Sequence, residues 1–159
     1  MEEKPQEILT FIVENQRFAL DINNVDRVIR AVAITKLTDS PKFIEGVIDY
    51  YGEVIGVVNL RKRLGYPLHE LRTSDRFIIA KTMTRKIAFI VDEVEKLLLP
   101  DDKEVSDSKI IDASMQFIKI LREDEGIILI YDLENLLNKT DEIELEKFIE
   151  TNFTTIENV

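Results

Sequence analysis

The chain has 159 residues, enough for about one domain in which roughly two-thirds of the unfolded surface can be buried. It has no cysteine, which excludes disulfides, a thiolate nucleophile and Cys-based metal sites and fits a reducing compartment. Its 21 basic and 31 acidic side chains leave a net charge of −10, a field that opposes nucleic-acid phosphates and anionic lipid headgroups. The opening residues, with Glu2 and Glu3, carry acids where a secretory signal would place basic residues. No apolar run approaches the roughly 20 residues that span a bilayer, so the expectation is a soluble, cytoplasmic protein with no membrane insertion.

In chain order, strand patterns dominate the first 130 residues as short apolar or alternating runs between polar turns. Ile8 to Val13 and Arg17 to Ile22 flank Glu14-Asn15-Gln16 as a hairpin, offering Phe11, Val13, Phe18 and Leu20 to a core. Val25 to Leu37 is rich in β-branched residues, and its broken alternation predicts a bulge or kink. Thr38-Asp39-Ser40-Pro41 places capping side chains ahead of a proline, predicting a helix of one or two turns closed by Gly46.

Gly46 to Tyr51 and Val54 to Leu60 read as strands joined at Gly52-Glu53, with Gly56 marking a bulge, a corner or a close backbone approach. The basic run Arg61-Lys62-Arg63 reads as a solvated helical turn ending at Gly65. Tyr66 to Asp75 is polar, contains Pro67 and His69, and reads as an exposed loop connecting two subdomains. Arg76 to Thr82 and Lys86 to Val91 form a further hairpin, followed by a strand from Val94 to Leu99. Met115 to Leu121 and Ile127 to Tyr131 complete the strands, the last apolar enough for burial on both faces. Leu133, Leu136 and Leu137, then Ile143, Phe148 and Ile149, carry helical spacing, so the chain is expected to end in helix. Nine or ten short strands without intervening helices argue for small β-barrels rather than a parallel α/β sheet.

Catalytic chemistry finds little support. His69 is the sole histidine, in a polar loop without a strand end to fix it, and reads as a surface residue. The glycines are scattered singly and build no phosphate cradle. The acidic pairs Asp92-Glu93 and Asp101-Asp102 and the run Glu123-Asp124-Glu125 read as solvated turns. No catalytic residue, cofactor or metal is expected.

The segment from Pro41 to Gly65, containing Pro41, Phe43-Ile44, Gly46-Val47, Gly52 and Asn59-Leu60-Arg61, resembles the signature stretch of the CheW family, P-x-F-I-x-G-V-x-N-L-R-G-x-V-x-P-V-x-D-L-R. Ala19-Leu20-Asp21-Ile22, the run Ile87 to Val94, and Ile127 to Leu137 resemble further family segments, so the likeness covers about residues 7 to 140. It implies a mainly β fold: two packed five-stranded SH3-like barrels with a short internal helix and a C-terminal helix. The first barrel would span about residues 22–85 and the second residues 7–21 plus 86–139, followed by the C-terminal helix and tail at 140–159.

The resemblance also implies a non-enzymatic adaptor that links methyl-accepting chemoreceptor cytoplasmic tips to the regulatory domain of the histidine kinase CheA. Other CheW-like domains are further partners, and recruitment to membrane-associated receptor arrays is expected. Its partner-binding residues would include Val25, Arg27, Gly46, Asp49, Tyr51, Gly52, Ile87 and Phe89. Three of these depart from the family pattern: Arg27 stands where a glutamate is usual, Tyr51 where an arginine is, and Asp49 where an asparagine is. Gly56 stands where proline is common. A CheW-like scaffold for a different receptor–kinase pathway such as surface motility is the alternative, with an uncharacterised carboxylate hydrolase as a third.

Overall fold

A computed structural model describes residues 6–101, 105–107, 117–133, 146, 147, 149 and 150. The strands are β1 (Ile8–Val13), β2 (Gln16–Asp21), β3 (Val25–Arg30), β4 (Ile44–Tyr50), β5 (Glu53–Asn59), β6 (Arg76–Lys81), β7 (Lys86–Val91), β8 (Glu93–Leu98), β9 (Val105–Asp107), β10 (Phe117–Glu123) and β11 (Gly126–Tyr131). An α-helix, α1 (Leu60–Leu64), follows β5, and a 3-10 turn, Ile22–Asn24, joins β2 to β3. The expected C-terminal helix from residue 140 lies almost wholly outside the described residues.

The strands form two sheets, ordered β3-β6-β7-β5-β4 and β8-β1-β2-β11-β10-β9. This is the expected pair of five-stranded units, with the three-residue β9 added at the edge of the second. Each sheet contains one parallel pair among antiparallel neighbours, β5 with β7 and β2 with β11. The pairing moves one boundary: β7, expected in the second barrel from residue 86 onward, lies between β6 and β5 in the first sheet. The cause is the tight turn before it. Thr82 Oγ1 accepts from the backbone N–H groups of Thr84 and Arg85, closing a hairpin that keeps β6 and β7 together. The chain crosses to the second sheet at Asp92.

Both faces of the central strands are covered, with period two. Ile78, Ala80, Ile87, Phe89 and Val91 join Leu9, Phe11, Val13, Phe18 and Leu20 in one core shared by the two sheets. The alternate residues, Phe77, Ile79 and Ala88, pack with Ile48, Ile55 and Val57 in a core belonging to the first sheet alone, as the alternation of side chains along a strand requires. Ile8, Ala19, Leu121 and Ile128 form the corresponding core of the second. Phe18 ties the shared core together, with its ring centroid 5.8 Å from that of Phe11 and 5.6 Å from that of Tyr131.

Two further expectations are corrected. The Thr38 to Gly46 segment forms turns rather than a helix: Ile44 N donates to Pro41 O at 2.9 Å, and Ser40 Oγ donates to Ile44 O at 3.2 Å, so the polar side chain holds a turn, and β4 starts at once. A helix does form at α1, where a helical turn ending at Gly65 was expected: Asn59 Oδ1 accepts from Arg61 N and Lys62 N and Gly65 closes it with φ +78°, an N-cap and a left-handed C-cap. The Tyr66 to Asp75 segment connects α1 to β6 within one sheet and does not link the two. β11 is covered on both faces, as expected: Leu129 and Tyr131 pack in the shared core and Ile128 and Ile130 in the core of the second sheet, while Ile127 near its start is 49% exposed.

Candidate partner-docking site

The partner-binding residues expected from sequence separate into two groups. Ile87 and Phe89 are fully buried: they are the inward side chains of central strand β7 and belong to the shared core, so no partner reaches them without unfolding. Gly46 is also buried, and its role is steric. The segment ahead of β4 straps against it, with Thr35 N donating to Val47 O at 2.9 Å and Val47 N donating to Thr35 O at 3.0 Å. A Cβ on Gly46 would collide with Thr35 O and lie 2.7 Å from Ile34 Cγ2.

Arg27, Asp49, Tyr51 and Gly52 meet at one exposed corner, where the β4–β5 turn approaches β3. Tyr51 and Gly52 have φ +50° and +87°, the two left-handed residues of a tight hairpin turn. Asp49 Oδ1 accepts from Gly52 N at 2.8 Å and fixes that turn. Tyr51 is 79% exposed. Arg27 Nη1 donates to its hydroxyl at 2.7 Å, and the guanidinium lies 5.2 Å from the ring centroid, a cation–π distance. Val25, half-buried two residues earlier on β3, packs its side chain on the shared core.

Sequence reasoning missed the groups that brace this corner. The Tyr50 hydroxyl donates to Asp26 Oδ2 at 2.7 Å, and the Tyr50 ring stands edge-on to Tyr51 with centroids 4.9 Å apart. That hydrogen bond holds the Asp26 carboxyl below the usual carboxylate range, with Lys86 and Arg27 adding to the effect. The same bond raises the Tyr50 phenol above its ordinary value, with desolvation second. Lys86 Nζ sits 5.6 Å from the Tyr50 ring centroid. The Tyr50-Tyr51 doublet at a turn, one ring directed in and one out, was the available signal.

A second polar centre was also missed, at the crossover between the sheets. Arg61, expected in a solvated turn, is buried at 7% exposure. Its Nη2 donates to Asp92 Oδ2 at 2.6 Å, and its Nη1 donates to Glu14 Oε2 and to Pro67 O. Desolvation alone would lower the guanidinium pKa; the paired carboxylates more than offset it, and the net shift is upward. Asp92 is thus a structural carboxylate and not part of a solvated turn. Among the described residues no helix is long and apolar enough to cross a membrane.

Two small sheets packed on a shared core, one short helix and an exposed Arg–Tyr corner define a scaffold of β-barrel type. The comparisons narrow the class. Residues 7–141 match the CheW-like domain. "Chemotaxis protein CheW" of Thermotoga maritima is 31% identical over 137 residues, covering 86% of this chain and 90% of that protein. "Chemotaxis protein CheW" of Bacillus subtilis is 25% identical over 139 residues, covering 84% and 88%. The crystal structure of scaffolding protein TtCheW from Thermoanaerobacter tengcongensis superposes with a TM-score of 0.78 at 28% identity, covering 87% of this chain and 96% of that one. The chain belongs to the CheW-like family.

Proposed function

We propose that this protein is a non-catalytic coupling scaffold, linking chemoreceptor cytoplasmic tips to the regulatory domain of CheA in the cytoplasm beside membrane-associated arrays. The Arg27–Tyr51 corner carries the reading. On a family scaffold, an arginine and a tyrosine at an exposed, braced turn are the residue types that dominate protein interfaces. Their fixed geometry reduces the ordering cost of docking.

The corner also departs from the family pattern in charge. The cation stands on β3 at Arg27, where a glutamate is usual, and the turn carries Tyr51, where an arginine is usual. Tyr51 supplies area and one hydroxyl but no bidentate fork, so a cognate partner presents its carboxylate toward Arg27. This exchange favours a dedicated partner set and keeps a different receptor–kinase pathway as the second reading.

Calorimetric titration of the protein with its genomic-neighbour CheA regulatory domain and receptor tip tests the proposal. Binding that Tyr51→Ala and Arg27→Glu each weaken at least about tenfold, the loss of a typical hot spot, supports it. Binding only to a kinase outside chemotaxis selects the second reading. Equal affinity for standard family partners and for its own defeats the matched-surface argument.

A further inference from the structure

We propose that His69, Asp75 and Asp92 form a divalent transition-metal site, of the kind that takes Zn2+, at the crossover between the two sheets. The three residues come from two segments: His69 and Asp75 from the loop joining α1 to β6, and Asp92 from the link from β7 to β8. Their donor atoms all lie within 4.8 Å of one another, and none of the three is exposed.

In each residue one polar atom is anchored, leaving another for a ligand. Nδ1 of His69 lies 2.7 Å from Glu70 O. A carbonyl only accepts, so Nδ1 carries the proton, and the lone pair of neutral imidazole is at Nε2. That Nε2 is buried without a hydrogen-bond partner and sits 3.7 Å from Asp92 Oδ1. The other Asp92 oxygen, Oδ2, accepts from Glu14 N at 2.9 Å and from Arg61 Nη2. Asp75 is buried, and its Oδ2 accepts from Arg72 N at 2.8 Å. A histidine whose second nitrogen donates to a backbone carbonyl, beside carboxylates each held by one oxygen, is the arrangement that orients metal ligands.

The donor set selects the ion. One imidazole nitrogen with two carboxylate oxygens suits Zn2+ and its neighbours, whereas Mg2+ and Ca2+ prefer oxygen alone. Charge agrees: the Arg61 guanidinium is shared by two carboxylates, Glu14 and Asp92, and Asp75 adds a third. A bound ion joins the α1–β6 loop to the link between the sheets, so it fastens the two units at the point where the chain crosses.

The sequence makes the test clean, because the chain has one histidine and no cysteine. The full chain, free of any affinity tag and stripped with chelator, is titrated with ZnCl2, MgCl2 and CaCl2 by calorimetry while the imidazole NMR signals are followed. Expected are about one equivalent of Zn2+, a shift of the His69 signals saturating with it, and a higher Tm with Zn2+. His69→Ala should weaken binding more than about tenfold, since even changes to the supporting partners of a ligand cost about 10–100-fold. Unmoved imidazole signals, His69→Ala binding as the parent does, or equal response to Mg2+ each overturn the proposal. The NMR titration decides the matter on the parent chain even where a variant fails to fold.

Discussion

Arg61 Nη2 donates to Asp92 Oδ2 at 2.6 Å, joining the helix of the first sheet to the residue where the chain enters the second. Asp92 N in turn donates to Ile12 O at 2.9 Å, and Glu14 of the β1–β2 turn accepts from the same guanidinium. One buried cation therefore ties three segments. Arg61→Ala leaves two partly buried carboxylates without it, and we expect a loss of about 3 kcal/mol, the lower end for breaking a buried ion pair. In a chain this size, each kcal/mol lowers Tm by about 2–4 °C, so a fall of about 6–12 °C should appear in thermal unfolding. A change below about 2 °C would place Arg61 among ordinary surface cations.

Gly46→Ala should destabilise by about 3 kcal/mol, the upper end for overpacking. The added Cβ meets the Thr35 backbone and Ile34 Cγ2, and backbone yields less readily than a side-chain tip. Denaturant unfolding reads the loss. Gly52→Ala has nothing within 4 Å of the new Cβ but keeps the strain of φ +87°, about 1–2 kcal/mol for an L-residue. Equal, small costs at the two positions would show that Thr35 does not pack tightly on β4.

The strand content was legible because short β-branched runs and turn residues punctuate the chain, and the Pro41 to Gly65 segment carries the family pattern. What pattern could not supply was face. Ile87 and Phe89 match a family segment, yet a central strand buried on both sides shows the same apolar run whichever face a partner might use. Arg61 reads as one cation in a basic run, and only the fold brings Glu14 and Asp92, far apart in sequence, onto it. The helix read at Thr38 to Gly46 does not form because Ser40 serves a turn as readily as a cap, while the helical turn read at Arg61 to Gly65 forms as α1 between Asn59 and Gly65. At the corner, Arg27 and Tyr51 were singled out separately; their mutual contact needed the β3–turn geometry.

Burial pushes the Tyr131 phenol up to about 12, with Tyr66 adding to the rise and Arg63 opposing it. In the unfolded chain the same group ionises near pH 10. The folded state holds its proton more tightly, so this stabilisation is fully present below about pH 10 and is lost as pH rises through about 12. Tyr50 and Tyr66 are also raised and act in the same direction. Denaturation midpoints across this range should fall with pH, and Tyr131→Phe should flatten the fall. An unchanged slope in that variant would assign the alkaline loss to other groups.

Tyr51 occupies a left-handed turn position, φ +50°, that asparagine or glycine fills more easily. Holding a tyrosine there costs about 1 kcal/mol, offset in part by its contact with Arg27, worth about 0.5–1 kcal/mol at an exposed site. Tyr51→Asn removes both effects. We expect Tm to stay within about 2 °C of the parent or to rise, since 1 kcal/mol corresponds to about 2–4 °C, while affinity for the cognate partner falls at least about tenfold. A stability-neutral change that abolishes docking is the signature of a residue kept for its surface. A larger drop in Tm with binding intact would make the Arg27–Tyr51 contact a structural brace, and the docking site would have to lie elsewhere.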